Sequence, residues 1–184
     1  MVRGMLATSA KSMLEPHDPR WSVEFAGLRD IYMTALGPLA LRIEHVGSTA
    51  VPDLLAKPIL DIDIVIAGYE IFPQVVTILD QFGYTHNGNQ GIPEREAFKP
   101  KDEFAPHLSP LRKWMTHHLY VCPEHSRELQ RHVRFRDALR ASLQLRREYE
   151  KLKLSIAARS YGDRRVYAAF KEDECRNFVE KVIT

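Results

Sequence analysis

An α+β fold is what this sequence predicts: a mixed β-sheet with flanking helices over residues 1–123, and a helical part over residues 124–184 packed on the same domain. Three observations carry that expectation. Apolar residues alternate with others along Pro58–Ile66, the period of a strand. From Trp21 to Leu36, and again beyond Glu124, apolar residues recur every three or four positions, the period of a helix. With 184 residues, 45% of them hydrophobic, the chain can bury one sizeable core.

Asp18-Pro19 opens the first helix, the aspartate as cap and the proline at the first helical position. Trp21, Phe25, Leu28, Tyr32 and Leu36 form its apolar stripe, and Gly37 ends it. Leu39, Leu41 and Ile43 then alternate as a short strand. Gly47–Ala56 reads as a turn with a single helical turn. In the strand Pro58–Ile66, Leu60, Ile62, Ile64 and Ile66 share one face, and Ile59, Asp61, Asp63 and Val65 the other. A second helix is expected from Glu70 to Phe82, stopped by Gly83. THNGNQGIP is turn chemistry. Glu94–Phe98 and Met115–Val121 read as strands, with Pro100–Pro110 a loop between them. Leu129, Val133, Arg136 and Leu139 mark one helix of the final third; Leu145, Tyr149, Leu152 and Ile156 mark the next. Asp163 caps a last helix carrying Val166, Phe170, Phe178, Val179 and Val182. Phe135, Tyr149, Tyr167 and Phe170 are expected in the core of this helical part.

Net charge is +2, so the overall field favours no class of partner. From Cys122 to Arg165, however, twelve Lys or Arg face six Asp or Glu, a local +6 that leaves −4 for the rest. A solvated helical face is the favoured reading, with Arg127, Arg131 and Arg134 on one stripe; a surface for an anionic acceptor is the sharper one. The two cysteines make no disulfide framework, and neither a signal peptide nor a membrane span is expected, which points to the cytoplasm. No G-x-x-x-x-G-K-[ST] loop occurs, which excludes P-loop kinase chemistry. His117, His118, Cys122 and His125 do not have the spacing of a zinc finger, and on a strand His117 and His118 point to opposite faces.

Asp61 and Asp63 carry the chemistry. Two residues apart on a strand, they leave the same face about 6.6 Å apart. Unpaired, two such carboxylates repel, and one would be pushed toward its protonated form. A divalent cation relieves this: Mg²⁺ takes one or two carboxylates and keeps water and phosphate oxygens for its other positions. Upstream, Gly47-Ser48 stands at a strand-to-helix junction, where free backbone N–H groups collect an anion and glycine lets phosphate approach. The Ser48 and Thr49 hydroxyls can add hydrogen bonds. His45 is read as orienting this turn. Lys57 is either a phosphate contact or a surface lysine. Arg95 either clamps a triphosphate or pairs with Glu94 or Glu96 at the surface.

Gly47-Ser48 followed by Asp61-x-Asp63 resembles the signature of the nucleotidyltransferase superfamily, whose fold is similar to the polymerase-beta palm. More closely, EHVGSTAVPDLLAKPILDIDIVI resembles the GrpB family, as do DPRW, THHLYV, FRDALR, YEKLK and YAAFK, so the resemblance spans nearly the whole chain. It implies a nucleotidyltransferase-like mixed sheet. It also implies a phosphate grip at Gly47 and Ser48, and Mg²⁺ or Mn²⁺ on Asp61 and Asp63. The superfamily usually adds a third carboxylate from a later strand; the matching segment Thr116–Val121 has none and offers His118 and Tyr120 instead. Where the family commonly carries two histidines, Tyr120 is a departure. His118 can replace the acid as ligand or base, whereas a tyrosine is a poor base at pH 7. The expected activity is therefore transfer of a nucleotidyl group from a nucleoside triphosphate, ATP being the expected donor, to an acceptor left open. The alternative is a catalytically weak or inactive nucleotide-binding accessory or regulatory protein. A nucleic-acid partner, held by the basic C-terminal helices, is less favoured.

Overall fold

The structure is a computed structural model that describes residues 14–161 and 163–183. Its sheet has five strands in the order β1-β2-β5-β4-β3: β1 Arg42–Val46, β2 Leu60–Ile66, β3 Tyr84–His86, β4 Glu96–Pro100 and β5 His117–Pro123. Only the central pair β2–β5 is parallel; the other neighbours are antiparallel. Helix α1 Arg20–Leu36 precedes β1, and α2 Phe72–Gln81 joins β2 to β3. Helices α3 Arg127–Ala141, α4 Leu143–Arg159 and α5 Arg164–Ile183 follow the last strand. The α+β architecture expected from the sequence, a mixed sheet with flanking helices and a helical final third, is the one observed.

The alternation along β2 sorts residues as predicted. Leu60, Ile62, Ile64 and Ile66 enter the main core with Trp21, Leu28, Tyr32 and Leu36 of α1 and Val75 and Leu79 of α2. Val65 turns the other way, against Cys122 and Leu129. On that second face the C-terminal helices make their own cluster around Leu139, Tyr149, Ile156 and Tyr167, which also takes in Val51 and Leu54. Between these two clusters on the second face, Asp61 stays partly open while Asp63 is buried.

Several elements differ from expectation, each for a local reason. Leu39 and Leu41 are outside the first strand. Gly37, at φ 52, ends α1, and Pro38 carries the chain into a 3-10 turn over Gly37–Leu39, leaving Leu41 exposed. Helix α2 begins at Phe72 rather than Glu70, because Pro73 sits in its first turn and Tyr69–Ile71 forms a separate 3-10 turn. Thr85 and His86, expected in a turn, belong to the strand Tyr84–His86, held by antiparallel pairing to β4. In α5, Asp163 Oδ1 accepts from the N–H groups of Arg165 and Val166, a working cap. Val166 and Phe170 are exposed, not core: Tyr167, Cys175 and Val179 make the buried stripe of that helix. Gly162 lies outside the described residues. Among the described residues no helix is long and apolar enough to cross a membrane.

Candidate functional site

Strand register assembles the site. In the β1–β2 pair Val46 faces Asp61, so the next residue, Gly47, lands beside that carboxylate. A Cβ on Gly47 would lie 2.1 Å from Asp61 Oδ2, and the backbone there sits at φ 71, so glycine alone fits. Ser48 then starts the 3-10 turn Ser48–Ala50. In the parallel pair Asp61 is level with His118 and Asp63 with Tyr120, which puts all four side chains on the second face of the sheet. Above them opens a cavity of about 1040 Å³, lined among others by Gly47, Ser48, Lys57, Asp61, Arg95 and His118.

Asp61 and Asp63 have unlike surroundings. Asp61 opens to the cavity, and His118 donates from Nδ1 to its Oδ1 at 2.9 Å. Burial works against its charge, but His118 and the more distant Lys171 outweigh that and hold the carboxyl below its usual range. Asp63 is fully buried; His132 of α3 donates from Nδ1 to its Oδ2 at 2.7 Å, and its Oδ1 has no hydrogen-bond partner. Burial pushes the Asp63 carboxyl up, and His132 opposes it. The second nitrogen of His132 lies 3.2 Å from Glu128. Burial alone would lower the His132 pKa; Asp63 and Glu128 on either side raise it to about 10, so the proton stays on the imidazole. Glu128 in turn, despite its burial, is pulled down to about 2 by His132 and Arg131. The site thus contains a carboxylate–imidazolium–carboxylate chain, Asp63–His132–Glu128.

The sequence-predicted residues divide. Gly47, Ser48, Lys57, Arg95, Asp61 and His118 line one cavity. Thr49 does not: its hydroxyl is buried, bonded to His45 Nε2 at 3.0 Å and donating to the Ile59 carbonyl at 3.3 Å, because the turn rolls it inward. His45, stacked on Phe25 and depressed to about 4 by burial, is the neutral support of that turn. Lys57 Nζ lies 3.8 Å over the Tyr167 ring. Arg95 pairs with neither neighbouring glutamate. Glu94 meets His125 and Glu96 meets His86, while the Arg95 guanidinium stacks 4.5 Å over Tyr120. Tyr120 is pushed up to about 12 by burial and Asp61, which removes it as a base at neutral pH. His117 faces the opposite side of the sheet from His118, toward Tyr84.

Sequence reasoning missed the helical contribution. Glu128 and His132 are four apart, one helical turn, and that spacing was the available signal, hidden in an arginine-rich run. Within the same run, Arg136 is not a solvent residue: it donates to Glu44 at 2.6 Å and to the His45 carbonyl at 3.0 Å. Arg140 donates to the Ala50 carbonyl at 2.8 and 3.0 Å. Arg136 thus ties α3 to β1, and Arg140 ties it to the Ser48–Ala50 turn. Lys153 of α4 is buried, donates to the Leu55 carbonyl and reaches Ser48 Oγ at 3.5 Å. Burial, then the charge of Lys171, lowers its pKa to about 7.

Two carboxylates, one open to the cavity and one with an orphaned oxygen, suit a hard cation that completes its shell with water and phosphate oxygens. They do not suit a fully protein-bound ion, since no group of three or more His, Cys, Asp or Glu side chains among the described residues could hold one.

A family model described as GrpB protein matches residues 11–181. The chain belongs to the GrpB family. It is 34% identical to the UPF0157 protein PA4798 of Pseudomonas aeruginosa, over 86% of this chain and 62% of that protein. Identity to the UPF0157 protein YqkA of Bacillus subtilis is 30%, over 77% of this chain and 38% of that one. The chain therefore spans less than two thirds of either relative. Conserved protein GrpB from Enterococcus faecalis shares the GrpB fold at TM-score 0.75 and 24% identity, with 92% of this chain and 96% of that one covered. The Cid1 poly(U) polymerase bound to MgGTP matches at TM-score 0.51 and 11% identity, over 84% of this chain and 47% of that one. That likeness identifies the GrpB fold here as nucleotidyltransferase-like.

Proposed function

We propose that this protein binds a nucleoside triphosphate, ATP being the expected one, with Mg²⁺ or Mn²⁺, and transfers its nucleotidyl group to an acceptor hydroxyl. The observation that carries the reading is the contact of Gly47 with Asp61: the phosphate turn and the carboxylate strand meet at one cavity wall. Gly47 and Ser48 receive the donor's phosphates, with Lys57 alongside. Asp61 and the orphaned oxygen of Asp63 would hold the cation, which supplies charge neutralisation at the phosphates. The acceptor oxygen forms a bond to the α-phosphorus, the bond to the bridging oxygen breaks, and pyrophosphate leaves. The hydroxyl proton goes to His118. Asp61 accepts from its Nδ1, which fixes the tautomer and leaves Nε2 as the proton acceptor of a side chain that lines the cavity. His118 thus does in this chain what a third strand carboxylate would do. Incubation with α-labelled ATP and Mg²⁺, with and without cell extract, tests this: label should pass to a product and pyrophosphate appear, and both should vanish in Asp61→Asn.

One observation favours a second reading. Asp63 is sealed from solvent and already neutralised by His132, which suits a nucleotide-binding accessory or regulatory protein with little turnover. It predicts Mg²⁺-dependent nucleotide affinity in calorimetry and no pyrophosphate release.

A further inference from the structure

Arg95 lines this cavity with its bonding incomplete. Its Nε is buried without a hydrogen-bond partner, and no ion pair with it is present among the described residues. Its charge is felt by Asp63 and Glu128, but both of those carboxylates are already taken up by His132. Tyr120 covers one face of the guanidinium and leaves its N–H edges for a planar or tetrahedral oxyanion. Buried donors in folded proteins are almost always satisfied, so a missing anionic partner is the simplest completion.

Location says which partner. Ser48 follows β1 and Arg95 precedes β4, and the strand order β1-β2-β5-β4 puts β2 and β5 between them. At about 4.8 Å per strand step the two backbones stand at least about 14 Å apart across the sheet, and the register sets Arg95 further off along the strands, level with Cys122 and Val65. The parity of β4 aims Arg95 to the cavity side with Ala97, which is level with Tyr120, and Gln90, Gly91 and Ile92 of the preceding loop line the same cavity. Asp61 and His118 lie between the two ends. An arginine on the far side of the transfer centre from the phosphate turn faces the acceptor, not the donor's phosphates.

We propose that Arg95, backed by Tyr120, is the anion-binding end of an acceptor subsite, and that the acceptor is a small molecule carrying a carboxylate or phosphate group. This rests on the nucleotidyltransferase reading and reassigns Arg95 from the triphosphate clamp that the sequence suggested. The test is calorimetry on the whole chain, loaded with Mg²⁺ and a non-hydrolysable ATP analogue, then titrated with inorganic phosphate and separately with malonate. At least one probe should bind at one site, tenfold or more weaker in Arg95→Met, which keeps the apolar stem on Tyr120, and within twofold of wild type in Lys57→Ala. Affinity for the ATP analogue should change the other way, falling in Lys57→Ala and holding in Arg95→Met. Arg95→Lys, which keeps the charge without the fork, should fall between. Whichever probe binds more tightly through Arg95 names the anionic group of the acceptor. If the analogue displaces both probes, or if Arg95→Met weakens the analogue as much as the probes, Arg95 belongs to the donor and the proposal fails. Absence of any Arg95-dependent anion binding also overturns it. If the analogue does not bind at all while anion binding still requires Arg95, it is the nucleotidyltransferase reading that has failed.

Discussion

At Gly47 a Cβ would lie 2.1 Å from Asp61 Oδ2, on a backbone at φ 71, so both space and conformation demand glycine. Gly47→Ala should cost about 1–3 kcal/mol of stability, read as a lower urea midpoint, and should abolish nucleotide binding in calorimetry by shifting the turn off the carboxylate. Lys153 offers a different test. Its pKa is lowered to about 7, against about 10.4 in an unfolded chain, so between those values unfolding takes up a proton. Its contribution therefore makes the protein more stable as pH rises from 7 to 10, by up to about 1.4 kcal/mol per pH unit. Lys153→Met should remove that slope, and the difference between wild-type and variant urea midpoints at pH 7 and pH 9.5 isolates it from other titrations. Asp61 and Asp63 could be placed on one face from the sequence because strand parity is a local property. That one stays open while the other is sealed by an imidazolium was not readable, because His132 comes from a helix 69 residues away.

Elements are joined here by polar contacts that their own patterns do not announce. Tyr32 of α1, Tyr84 of β3 and His117 of β5 form a buried chain. Tyr32 Oη lies 2.6 Å from Tyr84 Oη, and Tyr84 Oη lies 2.6 Å from His117 Nε2. His117 donates from Nδ1 to the Met115 carbonyl at 2.8 Å, so Nε2 is its acceptor and the ring is neutral. Tyr84→Phe removes the shared hydroxyl and leaves Tyr32 Oη and His117 Nε2 only their longer 3.3 Å contact with each other; it should destabilise by about 1–2 kcal/mol in urea unfolding, with little change in nucleotide affinity because these groups face away from the cavity. Arg136 joins α3 to β1 through Glu44 and the His45 carbonyl. Arg136→Met should lower stability by about 2–3 kcal/mol and weaken nucleotide binding as well, since the end of β1 that leads into Gly47 loses its brace. Both variants can be compared in paired melting and calorimetric titrations. The period of α3 predicted a helix with Arg136 on the inward stripe; what the arginine meets there depended on how the helix docks.

For the whole molecule, acid is the weak side. Burial holds His45 down to about 4, so it stabilises the fold fully above about pH 6.5, its unfolded value, and this is lost as pH falls toward 4. Glu128, depressed to about 2, adds a loss of the same sign below about pH 4.5. Unfolding free energy should be about 2–3 kcal/mol lower at pH 4.5 than at pH 7, most of it absent in His45→Gln at equal ionic strength.

Length, hydrophobic content and two periodicities were enough to settle the α+β class, the central strand with its two faces and the helical final third, because each depends on residues close together in the chain. That Gly47-Ser48 and Asp61 meet was legible for the same reason, since one antiparallel step brings them together at the cavity wall; Asp63 lies buried behind it. Tertiary structure alone decided that Thr49 turns inward, that Val166 and Phe170 stay outside the core, and that Arg95 ends across the sheet from Ser48. It also decided that His132, held in turn by Glu128, neutralises Asp63. Which face of a helix is buried, and which charges meet, is fixed by contacts between segments far apart in sequence, and no local pattern encodes that pairing.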